Sequence, residues 1–595
     1  MAAKRKRPPD KDGLPPAKRQ KLIHSNRRKR PQGKREAVVK MCLKKHLHNK
    51  KLLPLIDEMV DVVSRRSHRA SLLLNHYVIS CLERGDSLDI DLDDQMLYNT
   101  ALNIELTGKK YPKLREFYTA HRELYEEIPT VPGMSRPLNS AARHMKTVSC
   151  NHLWMLFPRR VENAFFSRDD TTTERDHYAS KSLLWQIRNM PRYSRHVAFP
   201  QRYSDVVSSI REAAEVLGED EITDTWIVKN GAVVLGFLYK MLCISSDAGR
   251  KMFTLLPVFN MKCHHITIDG SALRDMLVRV GDLKSSISSN DFLAMRDAHF
   301  RSVFNVRSSW ELGNEIKTDG VSLCVNVWRN EKISQDKDSE EFVERFGSYT
   351  DYFATDPGER DLAATIHAID GGEASRCRLT MKQYRKEGHL NRNLRKRQRY
   401  DSKILLGDFA NKSIKTPFAE EIEEYLVEKK KHYAALWEHH AARKTSAWRM
   451  DTYIHKWSCV DRFWRKTKNS SGSPRPLMKY GAASVSSQGV KNRQSGPSKM
   501  MRHSCEKHFV VVNVDEYRTT KCCRDCHAIT KGVTQKFIGP LKEGKKRYNL
   551  KVRGLRRCES NECRSCPLKP RDYAAAWNIG VCWPTRPPAM SRSRA

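Results

Sequence analysis

Phe509-Val-Val-Val-Asn-Val-Asp-Glu516 is an apolar strand run that ends in acid, and it leads into Thr519-Thr-Lys-Cys-Cys-Arg-Asp-Cys526. A second cysteine group follows at Cys558, Cys563 and Cys566, and after it Arg571-Asp572-Tyr-Ala-Ala-Ala-Trp-Asn578-Ile579, which reads as a helix with an acid at its start. Two residues separate Cys523 from Cys526, a spacing that turns both thiolates onto one ion at a knuckle. The second half of the site is open from spacing, with four residues between Cys558 and Cys563 and two between Cys563 and Cys566. The thirty-one residues between Cys526 and Cys558 are long for a simple ribbon, so a hairpin through Phe537 to Val552 is expected to bring the halves together. Four thiolates in a closed tetrahedral shell imply a structural zinc rather than a catalytic one.

Three acids stand at the ends of elements. In Tyr352-Phe-Ala-Thr-Asp356-Pro-Gly-Glu-Arg-Asp361, two strand segments meet at a Pro-Gly turn that places Asp356 at the end of the first. Glu516 ends the valine strand, and Asp572 opens the last helix. Taken singly, each reads as a turn or cap residue. Converging from different elements, the three could hold two Mg²⁺ ions, which take few carboxylates plus water and substrate phosphate. Such a pair activates a water and stabilises the leaving oxygen in phosphodiester hydrolysis.

The composition suits a polyanionic partner. The 595 residues hold 108 Lys and Arg against 69 Asp and Glu, a net charge of +39. A chain of this length exceeds a single core, so several domains are expected. No apolar run approaches the roughly 20 residues that span a bilayer; Val233 to Ile244 is short and carries Lys240. No apolar signal region opens the chain, and seven of its sixteen cysteines lie between Cys522 and Cys582, so metal binding in a reducing compartment is favoured over disulfides.

Residues 1–40 are read as a disordered basic tail; the first 35 carry fourteen Lys and Arg against two Asp. Lys4-Arg-Lys-Arg7, Lys18-Arg-Gln-Lys21 and Arg27-Arg-Lys-Arg30 resemble nuclear localisation signals and equally suit nonspecific nucleic-acid contacts; the first reading, compatible with the second, puts the expected site of action in the nucleus. Residues 41–130 are helical, with Leu53, Ile56, Met59, Val60 and Val63 at spacings of three and four. Residues 131–345 mix helices with strand-like runs at His265–Ile268 and Val321–Val327. Cys263-His264-His265 lacks partners at ligand spacing and reads as structural. Between 376 and 399 basic residues dominate, and Arg385, Lys386, Arg392, Arg395 and Arg397, with Tyr384 and Tyr400 interleaved, are the expected nucleic-acid contacts. Thr416-Pro417 is expected to start a long helix, along which His439 and His440 read as surface residues.

Asp356-Pro-Gly, the run from Val514 to Cys526 and the run from Arg571 to Ile579 together resemble the RuvC nuclease and inserted zinc finger of the TnpB/Fanzor family, related to the type V CRISPR nucleases. The basic tail and the acid-free strand at Tyr480 point to the eukaryotic Fanzor branch, and Thr318-Asp-Gly-Val321 is similar to a segment ahead of the family's RuvC domain. The motifs cover about the last 280 residues; the earlier ones are assigned by family architecture alone. The resemblance implies a multidomain α+β chain: a helical recognition lobe (41–130), a β-rich wedge and recognition region (131–345), an RNase H-like RuvC domain (346–520 and 568–595) and an inserted zinc finger (521–567). It implies a Mg²⁺- or Mn²⁺-dependent, RNA-guided DNA endonuclease, acting as a monomeric ribonucleoprotein with an omega-type guide RNA on double-stranded DNA and with no membrane partner. Asp356 would be the first RuvC acid and Asp572 the third. The family's second acid is a Glu at the end of the strand matching Lys479–Ala483, where no acid stands, and Glu516 resembles the relocated Fanzor glutamate. For zinc the resemblance favours Cys523, Cys526, Cys558 and Cys563, with Cys566 as the alternative. Two other readings stay open: a domesticated noncatalytic nucleic-acid-binding protein, and a transposase-type strand transferase.

Overall fold

The valine run folds as a strand at the edge of a five-stranded sheet, and the rest of the chain builds two units around two such layers. The computed structural model describes residues 34–106, 108–165, 174–189, 203–218, 222–330, 340–358, 360–402, 409, 411–482, 497–536, 549–561, 563 and 568–591. The strands are β1 (Lys34–Cys42), β2 (Ile266–Asp269), β3 (Glu311–Thr318), β4 (Ser322–Asn330), β5 (Tyr352–Asp356), β6 (Asp361–Ile369), β7 (Gly372–Thr380), β8 (Leu477–Gly481), β9 (Val510–Val514), β10 (Lys531–Lys536), β11 (Asn549–Arg557) and β12 (Leu568–Pro570). The helices used below are α1 (Leu52–Glu83), α2 (Ser135–Phe165), α3 (Gly231–Asp247), α4 (Met381–Glu387), α5 (Leu390–Asp401), α6 (Ala419–Ala441), α7 (Arg443–Lys468), α8 (Ser498–His508) and α9 (Arg571–Val581). One unit comprises residues 1–331 and 400–447, the other 332–399 and 448–595. None of the described helices is long and apolar enough to cross a membrane.

In the first unit α1 is the central helix. Ile56, Met59, Val60 and Val63 are buried as their spacing requires, and from Ser64 to Cys81 nearly every side chain is buried. Such depth demands partners for its buried arginines: Arg69 Nη2 donates to Glu105 Oε2 at 2.9 Å, and Arg66 Nη1 to Asn103 Oδ1 at 3.0 Å. Helices α2, α3 and α6 pack around it, with an antiparallel sheet in the order β1-β4-β3-β2.

The expected tail to residue 40 is corrected here. Lys34 to Cys42 pair in full register with Asn330 to Ser322, because Ala37, Val39 and Met41, alternating with Glu36, Val38 and Lys40, pack on the core. The three basic clusters lie outside the described residues. Thr318-Asp-Gly-Val321 closes the β3–β4 hairpin: Asp319 Oδ1 accepts from the Ser322 N–H at 2.7 Å and Gly320 takes φ +81°. The long helix starts at Ala419, two residues after Pro417. Glu83 Oε2, rather than the Thr416 hydroxyl, accepts the Ala419 N–H at 2.8 Å. Residues 400–447, read as nuclease domain, belong to this unit, since Ile422 and Leu426 of α6 enter its core. His439 is not a surface residue: it is buried, stacked on Tyr400 at 3.7 Å between ring centres.

The second unit is a sheet in the order β7-β6-β5-β8-β9. β5, β6 and β7 form an antiparallel meander; β8 is parallel to β5, and β9 to β8. Period-two alternation sorts the central strands onto two faces. Tyr352, Ala354, Leu477, Val512 and Val514 join Ala576 and Ile579 of α9 on one; Phe353, Met478, Tyr480 and Val511 join Tyr384 of α4, Trp464 of α7 and Met501 of α8 on the other. Asp356 and Glu516 follow the parity of the α9 face. Between β9 and α9, strands β10, β11 and β12 make a separate antiparallel sheet; β10 and β11 pair, but β10 ends at Lys536, ahead of the Phe537 at which the expected hairpin began, and residues 537–548 lie outside the described residues.

Candidate functional site

The metal knuckle follows from backbone turns. His527 takes φ +58°, and its N–H donates back to the Cys523 carbonyl at 3.0 Å, so Cys523 and Cys526 face the same way. Cys523 Sγ lies 3.7 Å from Cys563 Sγ, and Cys526 Sγ 3.6 Å from Cys558 Sγ. All four sulfurs fall within 4.8 Å of one another. A tetrahedron with Zn–S near 2.3 Å has edges of about 3.8 Å, so this cluster could hold zinc. Burial and the neighbouring thiols raise the Cys523 and Cys558 thiols, a balance that a dication reverses. Cys566 lies outside the described residues, and Cys522 packs in the core.

Two ion pairs dock the knuckle onto its surroundings. Arg524 Nη1 meets Glu373 Oε2 of β7 at 2.7 Å, and Lys569 Nζ, nearly buried, meets Asp525 Oδ2 at 2.5 Å. Asn578, wholly buried on α9, donates to the carbonyls of Thr519 at 2.7 Å and Cys522 at 3.0 Å. It ties the helix carrying Asp572 to the loop that links Glu516 with the cysteines, a positioning role that its place in the sequence motif did not disclose.

The three expected acids come together on the α9 face. Asp356 is 8% exposed at the end of β5, and its carboxyl is held well above the usual range by burial and then by Glu516 and Asp572. Among the described residues none donates a hydrogen bond to this carboxylate. A buried acid without a donor, beside two more acids, is costly in its charged form, so it either keeps a proton or takes a cation. The set is more open than the cysteine cluster, since the three acids do not bring their ligand atoms within 4.8 Å of one another. Asp572, in the first turn of α9, is paired with Arg571 Nε at 2.7 Å. Asp515, one residue before Glu516, turns away to Arg586, 3.7 Å from its Nη1.

Gly481, at the end of β8, explains how Glu516 reaches the site. A Cβ there would overlap Glu516 Oε1 and sit 2.8 Å from Pro357 Cδ. The Glu516 carboxylate therefore fills the space that a side chain on the end of β8 would take, directly beside the turn after Asp356.

Two residues escaped the sequence reading. Asp361, the first residue of β6, is a fourth acid: burial and Asp572 raise its carboxyl while Arg378 and Arg360 lower it. Its signal was a second acid five residues beyond Asp356, across a Pro-Gly turn. Lys479, buried on β8, donates to the carbonyls of Gly580 at 2.8 Å and Trp583 at 2.9 Å, at the C-terminal end of α9. Burial pushes its ammonium down to about 8. Only the pairing of β8 between β5 and β9 shows that this lysine points into the core.

Of the expected nucleic-acid contacts, Arg385 and Lys386 are exposed on α4, and Arg392, Arg395 and Arg397 on α5. Tyr384 is core and offers no stacking surface. No protein-family model matches the chain, and no curated protein does.

Proposed function

We propose that the protein is an RNA-guided, metal-dependent DNA endonuclease with Asp356, Glu516 and Asp572 as its catalytic carboxylates. The observation that carries this reading is the buried Asp356 carboxyl, without a hydrogen-bond donor among the described residues and in electrostatic contact with the other two acids. The strand order, a meander followed by two parallel strands, supports an RNase H-like scaffold, in which acids at strand ends meet one helix start. These residues would hold the divalent ions, which when bound supply an activated water and a clamp on the leaving oxygen. Glu516, seated against Gly481, takes the place of an acid on the end of β8. Asn578 and Lys479 hold α9, and through it Asp572, against the sheet. The exposed arginines of α4 and α5 and the +39 charge suit a nucleic-acid backbone, with sequence read by a paired guide. The same features would survive in a noncatalytic binding protein, but that reading gives Asp356 no reason to stay buried without a donor among the described residues.

The test is to purify the protein from cells carrying its locus, sequence the bound RNA, and assay plasmid cutting with that RNA and Mg²⁺. A discrete RNA is expected, with cutting lost and binding kept in Glu516→Ala. Absence of a discrete RNA would sink the guided mechanism, and undiminished cutting by the variant would remove Glu516 from the site.

A further inference from the structure

The first unit has a group of ligand atoms of its own. His76 on α1, His121 at the C-cap of the helix Pro112–Ala120 and Glu423 on α6 each place one within 4.8 Å of the others. Glu423 Oε1 is 3.3 Å from His76 Nε2 and 3.5 Å from His121 Nε2. The remaining nitrogen of each ring is engaged, His121 Nδ1 at 2.8 Å from the Phe117 carbonyl and His76 Nδ1 at 2.8 Å from the Tyr125 hydroxyl. A carbonyl only accepts, so His121 carries its proton on Nδ1 and turns the lone pair of Nε2 toward a carboxylate oxygen. That contact is repulsive unless a cation lies between the two atoms, either a second proton or a metal ion.

The geometry fits the metal. Ligand separations of 3.3 and 3.5 Å are the edges of a tetrahedron whose metal–ligand bonds are about 2.0–2.1 Å. Outer hydrogen bonds on both imidazoles are how ligating histidines are fixed in tautomer and orientation. We infer that His76, His121 and Glu423 form a binding site for a divalent transition-metal ion of the zinc type, which clamps α6 to α1. Two imidazoles with one carboxylate favour zinc, iron or nickel over magnesium and calcium. His76 is fully buried, whereas His121 and Glu423 are 27% and 39% exposed, so the remaining coordination position faces solvent. The two other His/Asp groups, His389/Asp451/His455 and Asp401/His439/His440, also bring ligand atoms within 4.8 Å of one another, but their ring nitrogens are already bonded within the fold. His389 and His455 stack face to face at 3.6 Å, with His455 Nδ1 on the Asp451 carbonyl, and His439 spends its Nε2 on Asp401 at 3.1 Å.

The test uses the full chain, stripped of metal, loaded with excess Zn²⁺, desalted and measured by mass spectrometry of the metal. Cys523→Ser/Cys526→Ser is expected to retain one equivalent, and adding Glu423→Gln or His121→Ala to remove it. Co²⁺ in the cysteine variant should show weak d–d bands without thiolate charge transfer. If the cysteine variant does not fold, the wild type is expected to hold two equivalents and Glu423→Gln one, with far-UV circular dichroism reporting that this isosteric variant keeps its helices. A cysteine variant that folds but holds no zinc, or zinc content that neither Glu423→Gln nor His121→Ala alters, overturns the site.

Discussion

Gly481 and Glu516 contend for one place, and this sets the sharpest expectation at the scale of single residues. A Cβ at position 481 would overlap Glu516 Oε1, so Gly481→Ala must displace the carboxylate. Overpacking of this kind costs about 1–3 kcal/mol of stability. Loss of one fixed charge-stabilising group at a reacting centre costs about 10²–10³-fold in rate. Gly481→Ala is therefore expected to fold, melt slightly lower and cut at least about a hundredfold more slowly; normal cutting would place Glu516 elsewhere. Asp356 yields a second expectation. Its folded pKa lies above the unfolded value of about 3.9, so the metal-free native state binds more protons and loses stability as pH rises from about 4 through the folded value. Asp356→Asn should melt higher than wild type at pH 8 without divalent ions, a difference that closes toward pH 4, and should lack the rise in Tm with Mg²⁺ that the proposed function requires of the wild type. Equal melting of the two proteins at pH 8 would mean that Asp356 is not held as a costly charge.

At the scale of elements, α9 is held along its length: Asn578 fastens it to the loop before the knuckle, and Lys479 receives its last carbonyls. Lys479→Ala leaves a cavity and two carbonyls without their donor, a loss of about 2–4 kcal/mol by denaturant melts. The depressed ammonium has its own signature. Between about 8 and the unfolded value near 10.4 the unfolded chain binds more protons, so wild-type stability rises with pH across that window, and Lys479→Met should flatten the rise. The helices α4 and α5 make a different claim. Arg392, Arg395 and Arg397 lie along one exposed stretch, and their joint replacement by Ala should weaken binding on all sequences and reduce the log–log salt slope by up to about 0.9 per lost phosphate contact. An unchanged slope would show that this surface does not meet the backbone.

For the whole molecule, the division of the chain matters more than its length. The polypeptide leaves its first unit near residue 331, returns to it for 400–447 and ends in the second. The boundary expected between residues 345 and 346 lies close to the first of these crossings. The return at 400–447 was not legible, because the apolar stripe of α6 matches any core and only packing assigns Ile422 and Leu426 to the one around α1. The start of β1 was missed for a related reason. Its strand pattern is diluted by Lys and Arg, and its register comes from β4, almost three hundred residues away.

Local chemistry, by contrast, was legible where spacing constrains it. A two-residue gap between Cys523 and Cys526 dictates a knuckle, a Pro-Gly after Asp356 dictates a turn, and a valine run dictates a strand, because each rests on backbone geometry within a few residues. Only the tertiary structure decided what depends on distant partners. It brought Cys558 and Cys563 to the knuckle, set Glu516 into the space beside Gly481, buried Lys479 and Asn578 against α9, and gathered His76, His121 and Glu423. The physical reason is common to all of these: a side chain's neighbours, and with them its charge state and ligands, are set by strand order and helix packing, which bring together residues that no local spacing relates.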